Sequence, residues 1–158
     1  MPVIRLQYSI NAPINVVFDL SRSVDLHKIS TAHTNEEAVA GKTSGLMELH
    51  DSVTWRAKHL GLTQHLSSKI TAFNRPNMFI DEMVSGAFKS FKHQHIFTEV
   101  NGQTVMTDVF TYQSPLGILG RIADAVFLKK YMQKLLTERN RIIKEFAEDA
   151  DKYKKILP

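Results

Sequence analysis

Residues 88–114 read FKSFKHQHIFTEVNGQTVMTDVFTYQS. This stretch decides the fold, because two alternating runs meet at Asn101-Gly102. Asn-Gly supplies the positive backbone angles that a tight hairpin turn requires. The runs therefore predict two antiparallel strands, 88–100 and 104–114. Side chains two apart on a strand share a face. Phe91, His93, His95 and Phe97 then lie together, and Ser90, Lys92 and Gln94 take the wet side. On the partner strand Met106, Asp108, Phe110 and Tyr112 share a face. Two histidines and an aspartate are expected among phenyl groups on the inward side, although a slip of one residue would reverse every side chain.

Working outward, the same reading gives strands at 78–84, at 62–73 (ended by the turn signal NRPN) and at 47–59. Val53, Trp55, Ala57 and His59 form the inward set of the last. Five consecutive strands joined by short loops predict an antiparallel meander. At the N-terminus VIRLQYSI, residues 3–10, alternates as a half-buried strand. NAPINVVFDLSRS then opens a helix, with Asn11 as its cap, Pro13 near the first helical position and Val16, Val17 and Leu20 inward. A second short helix is expected over 24–30. A seventh strand would have to fall within 35–45, where EEAVAG is the candidate.

From 119 to 153 the pattern predicts one long helix, with Leu128, Met132, Leu135, Ile142, Phe146 and Tyr153 on its buried side. About 30 helical residues extend roughly 45 Å and need a wide surface to pack on. The inner side of the sheet is the surface available. The expected fold is α+β, a curved antiparallel sheet of six to seven strands wrapped around a long C-terminal helix. Two short helices follow the first strand, and residues 1–158 form a single domain.

Composition excludes several functions. The 158 residues are 43% hydrophobic and 23% charged, ordinary for a globular chain, with a net charge of +4. There is no cysteine, so disulfides, thiolate nucleophiles and thiolate-held zinc are ruled out. Neither a signal peptide nor a stretch of 18 apolar residues is read, so a cytoplasmic protein without stable membrane insertion is expected. Arg121, Lys129, Lys130, Lys134, Arg139, Arg141, Lys144, Lys152, Lys154 and Lys155 interleave with acidic residues, as on a solvated helix face. No stacking aromatics or DNA-binding spacing accompany them, so no nucleic-acid partner is expected. No phosphate loop, GxSxG elbow, HExxH or dinucleotide fingerprint occurs.

The order of elements resembles the SRPBCC superfamily, the helix-grip fold shared by START lipid-transfer domains, the birch-pollen-allergen family and polyketide cyclases. INAPINVVFDL is similar to the opening strand and helix of that family. VTWRAKHLGLTQHLSSKITAFNRPNMFIDE, GAFKSFKHQHIF, GQTVMTDVFTYQSPLGILG and the final helix resemble a bacterial branch of small single-domain members. The resemblance covers essentially the whole chain. It implies a seven-stranded sheet gripping the long helix, with a ligand pocket in the gap. It does not imply one chemistry, because carriers, receptors, cyclases and hydrolases share the scaffold.

Trp55, Phe79, Phe91, Phe97, Phe110 and Leu135 are the expected walls of that pocket, and His59, on the Trp55 face of its strand, could converge with His93, His95 and Asp108. His93, His95, Asp108 and Tyr112 are its polar end, joined by Asp81 if that side of the FIDEM strand points inward. The cluster can be read as a buried hydrogen-bonded network, as ligand recognition or as a metal site. A metal needs three or four ligands, and neither a metal nor a cofactor is expected. Asp81 is otherwise a rim or solvated charge, and Glu82 faces Lys92 or Lys69 across strands. The expected function is binding of a lipid, polyketide or isoprenoid. The alternative is a cyclase, aromatase or hydrolase in which His93, His95 and Asp108 move protons. SPLGILGRIADAVF joins the last strand to the helix, with Leu116, Ile118 and Leu119 as a gate, a hydrophobic turn or a membrane-surface tip. The oligomeric state is not legible.

Overall fold

The computed structural model describes the whole chain, Met1–Pro158. Seven strands form one antiparallel sheet: β1 (Val3–Ile10), β2 (Glu37–Gly41), β3 (Ser52–His59), β4 (Leu62–Asn74), β5 (Met78–Ser85), β6 (Ser90–Val100) and β7 (Gln103–Gln113). Their order across the sheet is β1-β7-β6-β5-β4-β3-β2. The meander is therefore as expected, and β1 closes on the far side of β7. EAVAG supplies β2, as the 35–45 segment had to. Residues 47–51 are an irregular approach to β3 rather than part of it.

The hairpin that decides the fold forms in the predicted register. His95 pairs with Asp108, His93 with Phe110 and Phe97 with Met106. Asn101 and Gly102 take positive φ values of 51° and 78°, which is the conformation that suits a hairpin turn between right-twisted strands. On the other side of β6, Asp81 of β5 stands opposite His93, and Phe79 opposite His95. Glu82 pairs with both Lys69 and Lys92 across strands, on the outer face.

Helix α1 (Ile14–Ser21) starts at Pro13, and Asn11 is not its cap; the Asn11 amide donates to Glu148 instead. Helix α2 (Val24–Ser30) is capped by Ser23, whose hydroxyl accepts from the Leu26 amide. The C-terminal helix runs 31 residues, through α3 (Gly117–Ala123), a π-helical turn (Asp124–Leu128) and α4 (Lys129–Ala147). It does not continue to 153. Asp149 interrupts it and caps a separate α5 (Ala150–Ile156) through the amides of Asp151 and Lys152.

The buried line of α4 is Leu136, Arg139, Asn140, Ile143 and Ala147. The sequence stripe of Met132, Leu135, Ile142 and Phe146 sits on its flanks, half-buried. Arg139, read as a solvated charge, is buried. The α4 backbone approaches β1 and leans on α1 and α2, so it stands off the strands β3 to β6. At the helix entry Gly120 has a packing reason. A Cβ there would collide with the Pro115 carbonyl oxygen, so glycine allows the close approach. Ser114 and Tyr112 at the end of β7 both donate hydroxyl hydrogen bonds to Asp124, at 2.6 and 2.9 Å, fixing the helix to the sheet. Leu116, Ile118 and Leu119 do not fold over the interior; they are 79%, 68% and 68% exposed. No helix is long and apolar enough to cross a membrane.

Two apolar clusters fill the interior. The larger contains Ile10, Val17, Leu20, Phe97, Met106 and Ile143 around Phe18. Phe18 meets the edges of Phe73, Phe79 and Phe97 at 5.4, 5.4 and 5.2 Å between ring centroids. The smaller contains Ile4, Phe91, Phe110, Tyr112 and Leu136. Phe18→Ala removes the ring on which three others converge, and is expected to cost about 3–5 kcal/mol. Urea unfolding of the variant measures this; a loss below about 1 kcal/mol would show that Phe18 is not the centre of that cluster.

Candidate functional site

Between the two apolar clusters the inner face is polar. Each strand contributes by simple alternation: Asp81 follows Phe79 on β5, His93 and His95 lie between Phe91 and Phe97 on β6, and Asp108 lies between Met106 and Phe110 on β7. The helix adds Arg139 and Asn140 between Leu136 and Ile143. His95 is the hub. Its Nδ1 is 2.8 Å from Asp108 Oδ1 and its Nε2 is 2.8 Å from Asp81 Oδ1. Carboxylates only accept, so both ring nitrogens donate and the ring is an imidazolium. Asn140 donates to the other oxygen of Asp108, and Arg139 stands 3.5 Å from it. Arg139 also donates to the Ser21 carbonyl at 3.0 Å, which ties α4 to α1.

The electrostatics follow from this arrangement. Burial pushes the Asp108 carboxyl upward, but the charges of His95 and His93 and their contacts outweigh it and hold Asp108 well below its ordinary range. Asp81 is likewise lowered, burial being outweighed by His95 and His93. For His95, burial disfavours the charge, while Asp108 and Asp81 win and raise it. His93 goes the other way: burial and then the adjacent His95 charge lower it. Its Nε2 lies 3.4 Å from Asp108 Oδ1, off the hydrogen-bond direction, and is buried without a partner. The two imidazoles sit 3.8 Å apart between centroids.

Above this layer lies a cavity of about 300 Å³ in the gap between sheet and helix. Trp55, Ala57, Leu66, Phe88, Phe91, Phe110, Leu128, Met132, Leu135 and Leu136 provide its apolar wall; Asp81, His93 and Arg139 reach it from the polar layer. A recess of about 90 Å³ adjoins it, sharing Trp55, Ser68, Asp81, His93 and Arg139 and adding Phe79 and His95. The exposed lining residues Leu60, His65, Ala87 and Pro115 mark the mouth, at the β3–β4 turn, the first residues of β4, the β5–β6 turn and the start of the helix. A wider open depression over Ile14, Pro76 and Gln94 lies elsewhere and carries no titratable cluster.

A second polar group occupies the opposite wall. The His27 ring lies tilted against Trp55, 4.2 Å between centroids, and bonds Glu36 through Nε2 at 2.8 Å. His59 Nδ1 is 2.9 Å from the Tyr131 hydroxyl. Burial pushes Glu36 upward, and His27 more than compensates, so its carboxyl is lowered. Burial lowers His59.

The sequence-predicted residues do not all reach the cavity. Trp55, His59, Asp81, Phe91, His93, Phe110 and Leu135 line the main cavity. Phe79 and His95 border only the recess, and Asp108 lies wholly buried behind the histidines. Phe97 packs in the larger apolar cluster instead of the wall, and the Tyr112 hydroxyl goes to Asp124 rather than to the histidines. His59 does not join the cluster of His93, His95 and Asp108. Asp81 is no rim charge, since it bonds His95 in the interior. Sequence reasoning missed His27, Glu36, Tyr131, Arg139 and Asn140. A signal existed for the last pair, which falls at helical spacing between Leu136 and Ile143. None marked Glu36, in a short connection.

No family model matches this sequence, and no curated protein matches it. Solved structures do resemble the fold. The protein TTHA0849 from Thermus thermophilus has a TM-score of 0.74 at 18% identity, covering 91% of this chain and 95% of its own. Major latex-like protein 151 from Panax ginseng gives 0.68 at 15% identity, covering 94% and 98%. A START superfamily protein from Mycobacterium smegmatis gives 0.69 at 8% identity, covering 92% and 97%. The chain has the helix-grip fold, and the resemblance read from the sequence holds at the level of fold.

Two outcomes test the electrostatics. Asp108→Ala leaves His95 and Arg139 charged and buried without their shared partner, and is expected to cost about 3–5 kcal/mol in urea unfolding. Glu36 has a folded value below its ordinary 4.5, so its stabilisation is present above that pH and disappears as pH falls through the folded value. Glu36→Gln should therefore destabilise by about 1–3 kcal/mol at neutral pH. The gap to the parent should close below the carboxylate range; a gap independent of pH contradicts the assignment.

Proposed function

We propose that the protein binds a compact amphipathic small molecule between the sheet and the C-terminal helix. The observation that carries this reading is the cavity itself, apolar on most of its surface, with Asp81, His93 and Arg139 converging at one end. Ligand sites are typically of that kind, concave and apolar with a few placed polar groups. Size narrows the class. Pockets for drug-sized ligands run from about 300 to 1,000 Å³, and an engineered cavity of about 150 Å³ accepts benzene. About 300 Å³ suits one or two fused rings or a short branched chain. A small aromatic polyketide or a short isoprenoid fits better than a lipid with two acyl chains. Its apolar body would lie against Phe91, Phe110 and Leu135, and its hydroxyl or carbonyl would meet His93. Met132 lends the wall adaptability.

The rival reading, an acid–base enzyme working with a histidine–aspartate pair, depends on His93. Both nitrogens of His95 are committed to carboxylates, so His93 is the histidine with freedom to exchange a proton with a ligand. The wall carboxylates are already engaged, Asp81 with His95 and Glu36 with His27, and binding accounts for the arrangement with fewer parts.

Native mass spectrometry of the purified protein, followed by extraction, should reveal a stoichiometric passenger of one or two rings. Calorimetry with 2-naphthol on protein freed of any passenger should give one site. Ala57→Phe, which fills the wall at a buried position, should weaken that site by at least about tenfold, or 1.4 kcal/mol. Leu135→Trp serves as the second filling variant should the first not fold. Equal affinity in parent and filled variants would exclude the cavity as the binding site.

A further inference from the structure

We infer that Asp81, His93 and His95 form a binding site for a divalent first-row transition metal ion, with Asp108 as the shared outer support of both histidines. The inference goes beyond the reading of the cavity as an apolar pocket and does not depend on it.

The backbone supplies the constellation. Register places Asp81 directly opposite His93, and alternation puts His95 on the same face two residues along. Three donors therefore project from two adjacent strands, a more rigid platform than loops provide. One donor atom from each residue can be chosen so that all three lie within 4.8 Å of one another. His95 Nε2 is 2.8 Å and His93 Nδ1 is 4.0 Å from the same oxygen, Asp81 Oδ1. Ligands about 2.1 Å from a common ion stand roughly 3.0–3.4 Å from each other, so shifts of well under about 1 Å would bring both pairs to that separation.

What lies behind the rings points the same way. A metal-ligating histidine almost always gives its other N–H to a carboxylate or carbonyl, which fixes the tautomer and the ring direction. Here one oxygen, Asp108 Oδ1, stands 2.8 Å from His95 Nδ1 and 3.4 Å from His93 Nε2. Asp108 is itself held by Asn140, so the support is anchored to α4. The buried His93 Nε2 lacks a hydrogen-bond partner, a state that costs free energy. An ion on Nδ1 would keep the proton on Nε2 and aim it at Asp108, relieving that cost.

Charge is also consistent. Asp81 and Asp108 carry two negative charges in the interior, set against the one fixed cation of the layer, Arg139, 3.5 Å from Asp108. An ion of charge +2 takes the place of the proton now shared between His95 Nε2 and Asp81, and that proton leaves to solvent. Two imidazole nitrogens and one carboxylate, without a thiolate, are a donor set for Zn²⁺, Fe²⁺ or Co²⁺. Ca²⁺ and Mg²⁺ prefer oxygen ligands alone. Asp81 and His93 also border the cavity, which leaves coordination positions open toward any molecule held there.

The test uses the metal alone, so failure of the apolar-ligand reading would not affect it. Protein stripped with a chelator and dialysed is titrated with Co²⁺, followed by visible absorption, and with Zn²⁺, followed by calorimetry and elemental analysis after desalting. One equivalent per chain is expected, with the Co²⁺ spectrum of nitrogen and oxygen ligation. His93→Gln and Asp81→Asn should each weaken binding by more than about 100-fold, beyond what outer partners usually command. His59→Gln, which alters a cavity histidine outside the cluster, should leave affinity unchanged. Circular dichroism of the stripped variants checks that they fold; if one does not, the other decides. Parent protein that retains no ion, variants that bind as tightly as the parent, or an equal loss in His59→Gln would each overturn the site.

Discussion

The structure depends on one interaction, the His95 ring held between two carboxylates. Asp108 on β7 and Asp81 on β5 lie on either side of β6, and the ring joins all three strands on their inner face. Asp108 then passes the connection to α4 through Asn140, and Arg139 carries it to α1 through the Ser21 carbonyl. One charged group thus holds the middle of the sheet and the helix that the sheet grips. Remove Asp108 and the buried charges of His95 and Arg139 lose their shared counter-charge, which is the costly event for such networks. The complete network, in contrast, is weak evidence for stability, because desolvation offsets most of the attraction.

That layer also explains the shape of the interior. Inner positions run apolar, polar, apolar along β5, β6, β7 and α4 alike, so the polar residues line up as a band between two apolar clusters. The larger cluster closes firmly around Phe18, where α1 and α4 both pack. Beyond the band, the α4 backbone stands away from β3 to β6, and only side chains such as Leu136 reach across to Phe91 and Phe110 in the smaller cluster. The cavity occupies that gap. Its floor is polar because the band is its floor, and its walls are apolar because strand alternation continues above it.

Much of this was legible in the chain because strands report faces with a period of two. FKHQHIF and MTDVFTY announce both the hairpin and the inward histidines and aspartate, and Asn101-Gly102 sets their register. Trp55 and His59 could be placed on the cavity side by the same count. The helix was harder. Its charges surround a narrow buried line, so the flanking apolar residues drew the stripe about one position away from Leu136, Ile143 and Ala147. Arg139 passed for a solvent charge, since a lone sequence does not distinguish a buried arginine from its exposed neighbours. Asp81 could be assigned inward or outward but not partnered, because its bond to His95 is diagonal across the strand pair. Glu36 and His27 meet through chain packing near α2, which no local pattern encodes.

The convergence of Asp81 and His93 on the cavity floor also bears on why a chain would hold them there. Apolar residues of similar volume at such positions are often as stabilising as a buried ion network or more so. Here the band occupies four elements, leaves one buried imidazole nitrogen without a partner and replaces what could be a continuous apolar core. Its stability contribution therefore does not account for its presence, and its direction does. His93 and Asp81 turn toward the cavity, while His95 and Asp108 hold them from behind. A scaffold whose only requirement was to close around its helix would gain from phenylalanine and leucine at these positions. A scaffold that must present nitrogen and oxygen donors at the bottom of an apolar pocket has to support them from beneath, and the pair behind them supplies that support.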